Sequence, residues 1–146
     1  MNTQITLQKA TLDTLPAMHR FLTDMSLPVS DLPADVSGFT LAFDDTELVG
    51  TAGMEILGPV GLLRSVAVAE THRNQHLGRR LFAAALNHAL SQGIREVFLI
   101  TDSAAEYFEK NGFQRVERSD TPTEIAGTAQ FSGLCPSSAV VMRKNL

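Results

Sequence analysis

Cationic side chains gather at one junction of this chain. The stretch "THRNQHLGRRLF", Thr71 to Phe82, sets Arg73, Arg79 and Arg80 around Gly78, with His72 and His76 nearby. From Arg64 to Arg80 the only acidic residue is Glu70, although the whole chain carries a net charge of -4. The stretch follows the valine-rich run "LLRSVAV" and opens the alanine- and leucine-rich "LFAAALNHAL", so it reads as a strand-to-helix junction. A helix start exposes unpaired amides and carries partial positive charge. Successive amides turned into one concavity bind phosphate, and the helix dipole adds to this. Gly78 permits close backbone approach, and the arginines can pair with further phosphate oxygens. The loop therefore reads as a diphosphate cradle. The same arginines also read as solvated helix-end residues; cations at a helix N-terminus oppose the dipole unless an anion is bound, which favours the cradle. Neither the G-x-x-x-x-G-K-[ST] phosphate loop nor the three spaced glycines of a dinucleotide fingerprint occurs.

The elements around the junction follow from periodicity. "QITLQKA" alternates as a first strand, and Asp13 or Thr14 is expected to cap a helix with apolar positions Leu15, Met18, Leu22 and Met25. "SLPVSDLPADVSG" reads as a loop, and "FTLAFDDTELVGTAGMEIL" as two strands joined at Asp44-Asp45. "GPVG" turns the chain into a strand over Leu62–Val68, apolar except for Arg64 and Ser65. A helix over Leu77–Leu90 presents Leu77, Leu81, Ala84, Ala85 and Ala89 on one face and ends at Gly93. "VFLIT" is a continuous apolar strand, so strand, helix and strand form a crossover between two parallel neighbours. Ser103 to Glu106 reads as a capping box and Asn111-Gly112 as a helix stop. "FQRV" and "AVVMRK" are strands, with a short helix around Thr123–Gln130 between them. The predicted class is α/β: a mixed sheet with helices on both faces.

With 146 residues, 44% hydrophobic, the chain fits one domain over 1–146, without linker, repeat or low-complexity tract. "MNTQITLQKATLD" has no long apolar stretch, so neither signal peptide nor membrane span is expected. The single cysteine, Cys135, points to a reducing, cytoplasmic setting and is a poor metalloid site by itself. The 12 basic against 16 acidic residues argue against a nucleic-acid surface.

"LRSVAVAETHRNQHLGRRLF" resembles the acyl-CoA motif of the GNAT acetyltransferases, V-x-P-x-x-[RQ]-G-x-G-[IL]-G-x-x-L, with Val68, Arg73, Leu77, Gly78 and Leu81 in matching positions. "TDSAAEYFEKNGF" resembles the second GNAT signature, A-x-x-[FY]-[FY]-x-x-x-G-F, in the family's order and spacing. The resemblance implies a mostly antiparallel sheet with a central, splayed parallel pair. It implies acetyl-CoA as cosubstrate, no metal, and direct attack of an amine on the thioester. It places the diphosphate on Arg73, Asn74, Gln75, His76, Leu77, Gly78, Arg79 and Arg80, and the pantetheine along Val66, Ala67 and Val68; Ser103 and Phe108 complete the cofactor residues. The family's glycines at positions 74 and 76 are Asn74 and His76 here. The tyrosine that often protonates the departing thiolate is replaced by Phe108, and Tyr107, one residue earlier, lies about 100° away around a helix.

An attacking amine must be neutral, so a base or a water chain is needed. Glu55, late in "VGTAGMEIL", is the candidate carboxylate, and it also reads as an exposed strand glutamate. Arg64 needs a partner, since a buried unpaired charge is costly; a carboxylate on the acceptor and Glu55 are both available. "LLRSVAV", "FLITDSAAEYFEKNGF" and "FSGLCPSSAVVMRK" together are similar to the arsenic-resistance N-acetyltransferases and to the acetyltransferase domain of N-acetylglutamate synthases. That similarity implies a small, amino-acid-like acceptor, with arsenic-containing ones in the class. A monomer or homodimer without nucleic-acid or membrane partners is expected. A CoA-binding module without catalysis and a protein lysine or N-terminal acetyltransferase are the competing functions.

Overall fold

Alternating and apolar runs close into strands wherever the sequence supplies a turn. In the computed structural model, which describes residues 5–73, 76–102, 104–128, 131 and 139–146, seven strands appear. They are β1 (Ile5–Lys9), β2 (Phe39–Asp44), β3 (Glu47–Leu57), β4 (Val60–Val68), β5 (Glu96–Thr101), β6 (Gln114–Val116) and β7 (Val140–Asn145). The helices are α1 (Leu15–Asp24), α2 (Leu77–Ser91), α3 (Ala105–Lys110) and α4 (Thr123–Ala126). The strands hydrogen-bond in the order β1-β2-β3-β4-β5-β7-β6. Pairs β1/β2, β2/β3, β5/β7 and β6/β7 are antiparallel. β4 and β5 run parallel, as the strand–helix–strand crossover predicts, with registers Gly61↔Val97 and Leu62↔Phe98. β4 then continues to Val68 and β5 to Thr101.

Two compact units divide the chain. The first comprises Met1–Met54 and Ser65–His88. Its core gathers Met18 and Leu22 of α1 with Ala10, Val36, Phe39 and Leu41. Leu81, fully buried on α2, fits against β3 because Gly50 has no side chain: a Cβ there would stand 2.7 Å from the Leu81 Cδ1. The second comprises Glu55–Arg64 and Ala89–Leu146, with Val60, Leu62, Phe98, Ile125 and Val141 at its core.

Several local expectations shift. α1 is preceded by a 3-10 turn over Leu12–Thr14; Thr14 occupies the N-cap position of α1 as expected, but its hydroxyl accepts the Thr11 N–H at 2.8 Å and makes no cap bond to α1. β4 begins two residues earlier than expected, at Val60. On α2, Ala84 is half-buried and Phe82 is buried in its place. Gly93 ends the helix as expected, with φ 79° and its N–H bonded to the Leu90 carbonyl at 3.0 Å. The helix between β6 and β7 shortens to α4, after a 3-10 turn at Arg118–Asp120. The residue capping α3 is Ala104, whose N–H donates to the Thr101 hydroxyl at 3.1 Å; the expected cap, Ser103, lies outside the described residues. Among the described residues no helix is long and apolar enough to cross a membrane.

Candidate active site

The arginine loop belongs to the first unit. β4 ends at Val68, and the Ala69 N–H donates to the Val49 carbonyl at 2.8 Å, fixing the chain as it leaves the sheet. A 3-10 turn over Glu70–His72 follows, and Arg73 returns to extended backbone. The Arg73 Nε donates to the Val68 carbonyl at 3.2 Å, so the side chain is tied back to the strand end. α2 starts with Leu77 buried, and the His76 carbonyl accepts the Arg80 N–H at 3.2 Å. Arg73, His76, Arg79 and Arg80 are exposed and Gly78 is half-buried. Among the described residues none of these three arginines is ion-paired. Asn74 and Gln75, expected in the same loop, lie outside the described residues, as do Ser103 and Cys135.

His76 has φ 59°, in the left-handed region. Glycine enters that region freely, and histidine is among the few other residues enriched there. The motif glycine at this position and the histidine found here thus meet the same backbone demand. On β4, Ala67 is buried and Val66 and Val68 are half-buried. Ser65, just before them, also has a positive φ, 55°, although it is buried inside the strand. Such a conformation costs on the order of 1–3 kcal/mol and must be held by its surroundings. The Thr51 hydroxyl, fully buried on β3, donates to the Ser65 carbonyl at 2.6 Å. No motif announces this kink, because a serine in a left-handed conformation has no distinctive sequence neighbourhood.

Glu55 and Arg64 belong to the second unit. The Arg64 Nη1 donates to Glu55 Oε1 at 2.6 Å, and the two side chains are 1% and 16% exposed. Of the two partners the sequence offered Arg64, Glu55 is in place. The carboxylate keeps some access to solvent; the guanidinium has almost none. In the same unit Phe108 is buried and meets the Phe113 ring at 5.8 Å, edge to face. Tyr107 packs edge-on against Phe108 at 5.2 Å but is 43% exposed, so it is no core residue. Among the described residues no group of three or more His, Cys, Asp or Glu is placed to hold a metal ion.

A mixed sheet with one parallel pair, and an arginine-rich loop leading from that pair's first strand into a helix, define an α/β fold of the acetyltransferase type. The acetyltransferase (GNAT) family model matches residues 9–113, and the chain belongs to that family. An amino-acid acetyltransferase from Aeromonas salmonicida (strain A449) is 27% identical over 95 residues, which take in 64% of this chain and 22% of that protein. N-acetylglutamate synthase from Neisseria gonorrhoeae, complexed with coenzyme A and L-arginine, shares the fold with TM-score 0.80 at 18% identity, covering 99% of this chain and 34% of that one. Rv2747 from Mycobacterium tuberculosis, in a complex containing CoA, gives TM-score 0.76 at 20% identity, covering 97% and 99%. The chain thus spans about a fifth of the first relative and about a third of the synthase.

Proposed function

We propose that residues 1–146 act as a single acetyl-CoA-dependent N-acetyltransferase domain whose acceptor is the amine of a small, amino-acid-like molecule. The observation that carries this is the junction of β4 and α2, where three exposed arginines, a glycine and a helix N-terminus meet in a chain of the GNAT family. Acetyl-CoA supplies an activated acyl thioester whose thiol, with a pKa of about 8.5, leaves without requiring a tyrosine acid. The amides and side chains of Arg73–Arg80 hold its diphosphate. The edge of β4 at Val66, Ala67 and Val68 pairs with the pantetheine amides as an added strand would. A β4 backbone N–H stabilises the developing oxyanion.

Glu55 takes the proton from the attacking amine, directly or through water. Arg64 acts through Glu55: it fixes one carboxylate oxygen and is a positioning residue. The amino-acid acetyltransferase relative supports an amino acid as acceptor, and the resemblance to arsenic-resistance enzymes extends the class to amino-substituted arsinic acids. Thiol release from acetyl-CoA, measured across amino acids and amino-containing phosphinic and arsinic acids, tests this function. Tight CoA binding without any acceptor in a broad amine panel would instead make the chain a binding module. Turnover confined to peptides would make it a protein acetyltransferase.

The positive φ of His76 gives a second expected result. His76→Gly supplies the residue that adopts this backbone without a Cβ penalty. Its affinity for CoA, measured by calorimetry, is expected to equal or exceed that of the wild type. A loss of more than tenfold, about 1.4 kcal/mol, would make the imidazole itself a phosphate ligand.

A further inference from the structure

The turn before the arginine loop carries a polar network that includes none of the groups given to the cofactor. His72 is 8% exposed, and its Nε2 lies 2.7 Å from Oδ2 of Asp44, the last residue of β2. Its Nδ1 lies 2.8 Å from the Thr71 hydroxyl oxygen. With Nε2 donating to the carboxylate, Nδ1 accepts the threonine proton; a charged ring donates from both nitrogens. In either form both ring nitrogens are engaged, so the ring has a fixed orientation. Asp44 is a firm anchor, because its strand pairs on both sides, with Ile5 of β1 and with Glu47 of β3. The network therefore joins a double-paired strand end to the residue that immediately precedes Arg73. Arg73 is in turn tied to Val68, so the start of the loop is held by both β2 and β4.

A part-buried histidine–carboxylate pair is a weak source of net stability, because desolvation of the ring and solvent access to the carboxylate both offset the attraction. What such a pair does supply is geometry. A loop held in its bound conformation loses less entropy when a ligand arrives, and affinity rises accordingly. We propose that Asp44 and His72 are positioning residues for CoA: they hold the cradle in its binding geometry without touching the ligand. This rests on the loop being the diphosphate site.

The test uses CoA itself, with calorimetry on the folded protein and melting temperatures measured alongside. Asp44→Ala and His72→Ala are each expected to raise the CoA Kd by about five- to twentyfold. The double variant should add no more than about twofold to the worse single one, because the residues act as a unit. Asp44→Asn keeps an acceptor for the His72 N–H and should recover affinity to within about threefold of wild type. Met18→Ala, a cavity in the α1 core, should lower the melting temperature without moving the Kd. Wild-type Kd values in both alanine variants, or fully additive losses, would overturn the positioning role alone. A wild-type protein that does not bind CoA would overturn the cradle and this inference together.

Discussion

Gly78→Glu is expected to weaken CoA binding at least a hundredfold, about 2.8 kcal/mol, without loss of thermal stability. Gly78 is the second residue of α2 and half-buried, in the turn whose amides are free to meet an anion. A glutamate there blocks backbone approach and sets a negative charge against a diphosphate. The same charge suits a helix N-terminus, where it contributes about 0.3–1 kcal/mol, and glutamate is a better helix former than glycine. The variant should therefore melt at the wild-type temperature or about 2–4 °C above it. Stability and affinity move in opposite directions, which a general disruption of the fold cannot produce. Arg73→Ala is the milder companion: one charged partner is lost, and affinity should fall by about tenfold. Calorimetry in which both variants bind CoA as tightly as the wild type would remove the cradle from this loop.

The parallel crossover was legible because its signals are strong and local: an apolar strand, a helix with a single buried stripe ended by Gly93, and a second apolar strand. The motif at Val68–Leu81 was legible for a different reason: its residues match an acyl-CoA signature, and clustered cations at a helix start oppose the dipole unless an anion is bound. Other parts of the site depend on tertiary geometry. His72 stood out only as one more cation beside the arginines, whereas its function is decided by Asp44, 28 residues earlier in the chain. The kink at Ser65 depends on a buried hydroxyl across the strand, and neither residue type signals it. Glu55 and Arg64 fall between these cases. An arginine in an apolar strand demands a partner on electrostatic grounds, but that Glu55 lies within hydrogen-bond reach of it follows from the folded structure and not from composition.

That pairing leads to the other large effect. Replacing Arg64 by Met is expected to lower stability by about 3 kcal/mol and the melting temperature by about 6–12 °C. The arginine side chain is 1% exposed and bonded to Glu55 at 2.6 Å, so its loss leaves a largely desolvated carboxylate without its cation. The 16% exposure of Glu55 places the cost at the lower end of the range for buried pairs. Arg64→Lys keeps the charge but not the planar fork, and should recover part of this stability. Kinetics on the lysine variant then separate two roles for the guanidinium. If Arg64 acts through Glu55, kcat falls while the KM values of acidic and uncharged acceptor amines change alike. If it grips the acid end of the acceptor, the KM of acidic acceptors alone rises. Glu55→Gln completes the comparison: the amide still accepts the Arg64 hydrogen bond but cannot take a proton. Loss of a general base should cost at least about a hundredfold in kcat, far more than the accompanying change in melting temperature explains. A Glu55→Gln enzyme with near-normal kcat and a lowered melting point would leave the pair a structural clasp, and the proton would have to leave by water alone.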